Sequence, residues 1–111
     1  MIATDAHTWW ARIYLSGPVD VVKQAIREEC WREGLCVTVD QTLFIYTGGE
    51  EQGCVVGLVN YPRFPSPPNA LEARAIEVAN LLLKATFQRS ALVVMPTLTV
   101  WIHQTEGGSA R

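Results

Sequence analysis

Residues 43–61, LFIYTGGEEQGCVVGLVNY, decide the fold. Two apolar, β-branched-rich runs, Leu43 to Thr47 and Cys54 to Tyr61, flank the connection Gly48-Gly49-Glu50-Glu51-Gln52-Gly53. Glycines at both ends of that connection admit positive φ. The two glutamates and the glutamine between them favour a solvated loop over a continued ladder, so the stretch is expected to form a central β-hairpin.

Upstream of the hairpin, Leu35, Val37, Val39, Leu43 and Ile45 are apolar at alternate positions, with Gln41 the exception. At about 3.3 Å per residue the run to Thr47 would span roughly 43 Å, against a radius of gyration of about 13 Å for a compact chain of this size. A bend is therefore expected at Asp40-Gln41-Thr42, dividing 35–39 from 42–47. Further upstream, Trp9, Ala11, Ile13 and Leu15 alternate with Trp10, Arg12, Tyr14 and Ser16, the pattern of a strand with one buried and one amphipathic side. Ser16-Gly17-Pro18 ends it and opens a helix to about Glu33, with Asp20 near the positive end, Val19, Val22, Ile26 and Cys30 as its core stripe, Glu28 paired to Arg32, and Gly34 as the cap.

Downstream, Asn60 to Pro68 carries Pro62, Pro65, Pro67 and Pro68, which exclude helix and central strand and give a stiff, extended connection. Asn69 with Glu72 forms a capping-box pattern, with Ser66 before Pro67 as a competing start. The helix then runs to about Gln88 with Leu71, Ala75, Val78, Leu82 and Ala85 along one stripe. Ala91 to Met95 reads as a strand, Pro96-Thr97 breaks it, and Leu98 to Ile102 offers a further short one. The order strand, helix, hairpin, helix, strand is that of an α+β, ferredoxin-like split β-α-β fold: an antiparallel sheet with two helices on one face. Residues 1–104 are expected to form a single domain, with 105–111 a disordered tail.

Composition narrows the function classes. The 111 residues are 49% hydrophobic and 18% charged, with a net charge of −2 and signs mixed along the chain, which argues against nucleic acid and against a polybasic membrane surface. No run reaches the roughly 20 apolar residues of a membrane span, and the first residues have no signal-peptide pattern. Cys30, Cys36 and Cys54 lie in apolar runs without metal-ligand spacing, as free thiols do in a reducing cytoplasm. No metal and no cofactor is expected.

Two helices cannot cover both faces of such a sheet. With Trp9, Ala11, Ile13 and Leu15 under the helices, Trp10, Arg12 and Tyr14 face outward, joined by Phe44 and Tyr46. An apolar patch of that kind points to a homodimer, or to a host protein or small ligand seated there. A second candidate is Tyr61-Pro62-Arg63-Phe64, a guanidinium between two rings on a proline-stiffened segment, suited to clamping a carboxylate or phosphate; the competing reading stacks Arg63 on its neighbours or pairs it with Glu50 or Glu51. His7 and His103 lie near the two ends on strands expected to be neighbours, without partners at zinc spacing.

Ile13-Tyr14-Leu15-Ser16-Gly17-Pro18 resembles the shorter aromatic strand motif of RNA-recognition-motif domains, but Gln52 to Val59 lacks the aromatics of the companion strand. Acylphosphatases share the expected fold, yet their glycine-rich phosphate loop is replaced here by Ser16-Gly17-Pro18-Val19. Tyr46-Thr47-Gly48-Gly49-Glu50-Glu51 and Asn60 to Pro65 resemble small accessory proteins carried by bacteriophages and prophages. That resemblance implies action by binding a host component or a signalling molecule. The resulting expectation is a non-enzymatic homodimer whose contact residues are Tyr61, Arg63, Phe64, Trp10, Arg12, Tyr14, Phe44 and Tyr46. The alternatives are a small dimeric α+β-barrel enzyme using His7, Trp10 or Asn60 on a hydrophobic substrate, and an RNA-binding module.

Overall fold

The alternation of Trp10–Ser16 becomes β1, followed by α1 (Val19–Arg32), the hairpin β2 (Thr38–Tyr46) and β3 (Gly49–Val59), α2 (Pro68–Thr86), and a second hairpin β4 (Ser90–Val94) and β5 (Thr99–His103). These elements come from a computed structural model that describes residues 1–103; the expected tail, 105–111, lies outside the described residues. All sheet neighbours run antiparallel in the order β2-β3-β1-β4-β5. The first four keep the ferredoxin-like order, and β5 extends the sheet beyond β4.

Both helices cover one face. Val22 and Ile26 of α1, and Ala75, Val78, Ala79, Leu82 and Leu83 of α2, share one core with Ala11, Ile13 and Leu15 of β1, Cys54, Val56 and Leu58 of β3, and Ala91 and Val93 of β4. Burial raises the Cys54 thiol above its usual range. α1 starts after Pro18, carries Asp20 in its first turn, and is followed past its Glu33 cap by Gly34, whose φ of +88° no side chain adopts readily.

The helices differ from expectation at three points. Cys30 is exposed, and its place on the buried stripe is taken by Glu29, 2% exposed. Arg32 therefore turns to Glu29 and Glu33 (2.7 and 2.8 Å), not to Glu28, which accepts a bond from Gln24. Arg74 of α2 reaches the same Glu29 carboxylate at 2.7 Å, bonds Glu77 at 2.7 Å, and donates to the Gly34 carbonyl at 3.0 Å. One buried carboxylate thus ties α1, α2 and the chain leaving α1. The hydrogen bond from Arg32 holds the Glu29 pKa down, burial opposes it, and Arg74 lowers it further. In α2, Asn69 is already helical because the helix begins at Pro68, so the Asn69–Glu72 capping box does not form.

The hairpin departs most from expectation. β2 is one unbroken strand with no bend at residues 40–42, and β3 begins at Gly49, leaving only Thr47-Gly48 as the turn, with Gly48 at φ +90°. Glu50, Glu51 and Gln52 belong to the ladder, opposite Ile45, Phe44 and Leu43. Compactness was the wrong constraint: the molecule measures 52 × 29 × 27 Å, with a radius of gyration of 15.0 Å. The distal half of the hairpin leaves the helices behind as a two-stranded arm on which Leu43 is 45% and Ile45 75% exposed.

Candidate functional site

Sheet register decides what the uncovered face presents. Since paired residues share a side, one cross-strand row runs Thr38, Gly57, Arg12, Val94, Thr99, and the next runs Asp40, Val55, Tyr14, Leu92, Trp101. Trp10 and Ser16 flank these rows on β1, and Phe44 and Tyr46 continue them on β2. The expected outward side of β1 is therefore observed, with Trp10 and Tyr14 half-buried and Arg12 exposed.

Two clefts open on this face. The first, about 390 Å3, is walled by Tyr14, Phe44 and Trp101 and floored by Ser16, Ser90, Leu92 and Val94. Phe44 enters it by lying across Gly53: a Cβ there would stand 2.5 Å from the Phe44 ring and 2.4 Å from the Leu15 carbonyl. Glycine at position 53 thus lets an aromatic from the arm lean over to β1. Trp101 also stacks on His103, with centroids 4.0 Å apart.

The second cleft, about 280 Å3, is bordered by Trp10, Arg12, Thr38, Cys36, Val59 and Tyr61. Its floor is Gly57, where a Cβ would meet the Thr38 hydroxyl oxygen at 2.6 Å. The Arg12 guanidinium lies over the Trp10 ring, 4.7 Å from its centroid, an attractive cation–π arrangement. Tyr61 is anchored through its neighbour. Asn60 donates its backbone N–H to the Trp9 carbonyl at 2.9 Å and its side-chain amide to the His7 carbonyl at 2.9 Å, and accepts from the Ser66 N–H at 3.0 Å.

The eight sequence-derived residues thus divide. Trp10, Arg12 and Tyr61 line one cleft, and Tyr14 and Phe44 line the other. Tyr46 sits at the arm's tip over Gly49 and is 55% exposed. Arg63 lies 5.5 Å over its neighbour Phe64 and makes no ion pair to Glu50 or Glu51, so the stacked alternative holds. Phe64 itself packs on Tyr61, centroids 6.0 Å apart. His7 and His103 do not sit on neighbouring strands, because β4 separates β1 from β5 and His7 precedes β1. Among the described residues no group of His, Cys, Asp and Glu is arranged to hold a metal, and no helix is long and apolar enough to cross a membrane. Trp101, Thr38 and Gly57 line the clefts in addition to the residues expected from the sequence. Trp101 alternates with Thr99 and His103, a signal present in the sequence, whereas Gly57 and Thr38 become neighbours only through the register.

No family model matches the chain, and no curated protein matches its sequence. Two solved structures share its fold. A phage SAM lyase in complex with S-methyl-5'-thioadenosine superposes with a TM-score of 0.76 over 95% of this chain and 96% of that one, at 16% identity. A phage SAM lyase in the apo state gives 0.68 over 88% and 90%, at 17% identity. The α+β fold is thereby shown, and the phage source of both agrees with the phage resemblance without naming a family. They also correct the expectation of a non-enzymatic binding protein. Both nearly whole-chain neighbours are of an enzyme, and the enzyme alternative fits them better.

Proposed function

We propose that this chain is a cytoplasmic enzyme that cleaves S-adenosylmethionine and releases S-methyl-5'-thioadenosine, with the substrate lying across β1 between the two clefts. The observation that carries the reading is the whole-length likeness to a SAM lyase that holds S-methyl-5'-thioadenosine. The chemistry of the open face supports it. The Tyr14, Phe44 and Trp101 cleft lies within the roughly 300–1,000 Å3 usual for small-molecule sites, and its rings offer stacking for a purine and faces that attract a sulfonium.

Cleavage breaks the bond between the sulfonium sulfur and the amino-acid side chain, and the electron pair goes to sulfur. A neutral thioether leaves, so the departing group needs no proton. Because a primary carbocation is not stable, the four-carbon fragment must, as that bond breaks, lose the proton next to the reacting carbon or take a nucleophile at that carbon. The contribution asked of the protein is to hold the substrate in one reactive conformation and strip water from it, which a face with few ionisable groups can supply.

The reading includes self-association as the expected homodimer. A bare two-stranded ribbon is marginally stable in water, and the arm leaves Leu43, Ile45 and Tyr46 uncovered. A second copy seated on the arm would cover them.

The test is to incubate the purified full chain with S-adenosylmethionine and follow nucleoside products by liquid chromatography. S-methyl-5'-thioadenosine should accumulate above the uncatalysed background, and Tyr14→Ala should reduce its rate. Background-level product from well-folded protein would refute the activity.

A further inference from the structure

We propose that Arg12 is the residue that grips the α-carboxylate of the substrate's amino-acid portion, in the cleft floored by Gly57. This rests on the activity proposed above, and it assigns within it what distinguishes the substrate from its nucleoside product.

Arg12 stands on the central strand of the open face, between Gly57 on β3 and Val94 on β4. Neither neighbour carries charge, and among the described residues no carboxylate lies within 4.0 Å of it, in contrast to Arg32 and Arg74, which are engaged by Glu29, Glu33 and Glu77. Its guanidinium is nevertheless oriented, because one face rests on Trp10 at 4.7 Å. A guanidinium held over a ring on one side keeps its N–H donors available, and its planar fork can take a carboxylate in two parallel hydrogen bonds.

Space for that carboxylate is the cleft itself, which Gly57 lines together with Arg12 and Thr38. With no side chain on Gly57, the Thr38 hydroxyl leans over β3 and borders the cleft as a second polar group. The cleft's volume of about 280 Å3 suits the amino-acid end of the substrate better than its nucleoside end. Position along β1 agrees as well. Arg12 and Tyr14 point the same way two residues apart, roughly 7 Å at strand rise. The guanidinium leans toward Trp10, on the side of Arg12 away from Tyr14, so a carboxylate held there leaves the sulfonium on the Tyr14 side, clear of the guanidinium's like charge.

The experiment is calorimetric titration of the full chain and of Arg12→Met with two ligands. One is S-methyl-5'-thioadenosine, which has no carboxylate. The other is S-adenosylhomocysteine, which keeps the carboxylate and lacks the sulfonium charge. Loss of a paired, charge-assisted contact should weaken S-adenosylhomocysteine by about 10- to 100-fold, leave S-methyl-5'-thioadenosine within about twofold, and raise KM for S-adenosylmethionine more than it lowers kcat. Arg12→Lys should recover part of the loss. Equal weakening of both ligands, or no weakening of either, overturns the assignment while the lyase reading stands. Failure of the unaltered protein to bind either ligand overturns both.

Discussion

The two faces of this sheet are written into the same strands, yet they solve different problems. Under the helices, Ile13, Val56 and Val93 are wholly buried and meet side chains from α1 and α2. On the other side the alternating residues include a tryptophan, an arginine and a tyrosine, with glycines at positions 53 and 57 where a partner side chain would otherwise stand. The covered face is filled from the helices, and on the uncovered face the missing side chains let Phe44 and Thr38 of β2 lean over β3 and shape the clefts. A residue on the first is constrained by volume, and a residue on the second by what it presents.

Substitutions along β1 should break that comparison most clearly. Ile13→Ala is expected to cost about 2–5 kcal/mol, as buried isoleucine truncations do, whereas Tyr14→Ala next to it should cost under about 1 kcal/mol; urea unfolding of both variants reads the contrast. Similar losses would mean that the open face is also core.

Between the helices, Glu29→Ala should cost about 1–3 kcal/mol, less than a fully buried pair, since Arg32 is 58% exposed and water softens its loss. The sign of the pH dependence follows from the lowered Glu29 pKa. The stabilisation is fully present above the ordinary glutamate value of about 4.3 and is lost as pH falls through the lower folded value. Thermal melts from pH 6 downward should therefore show a steeper decline in the parent protein than in Glu29→Gln.

Gly53→Ala pits the faces against each other directly. Its added methyl must displace Phe44 and also push against the Leu15 carbonyl of β1, at about 1–3 kcal/mol. The same change should weaken ligand binding in the Tyr14–Phe44–Trp101 cleft, which titration would register. The smallest effect on folding belongs to Ile45→Lys, within about 0.5 kcal/mol. Its readout is solution mass by light scattering, which should drop if the arm meets a second copy.

Legibility in the sequence followed the same division. Strand β1 could be read on both sides, because period-two alternation specifies a covered and an uncovered face at once, and Trp10, Arg12 and Tyr14 emerge where expected. The arm could not. Glu50, Glu51 and Gln52 carry a loop's composition, but a ribbon in water on both sides tolerates the same residues, so polarity there did not distinguish turn from ladder. Glu29 was hidden for another reason: its partner Arg74 lies 45 positions away, and nothing local separates a glutamate that dives between helices from Glu28 beside it. The clefts depend on register as well, since Gly57 matters only because Arg12 and Thr38 stand on either side of it.

Asn60 carries one more consequence. By grasping the His7 carbonyl with its amide while accepting from Ser66, it fastens the segment ahead of β1 to the proline-rich connection. Pruning the chain up to Thr8 would therefore cut a guy-rope whose other end is Asn60, next to Tyr61. Such a shortened protein should keep its melting temperature within a few degrees while the 61–66 segment exchanges its amide hydrogens faster, a change of stiffness made more than fifty residues from where it is felt.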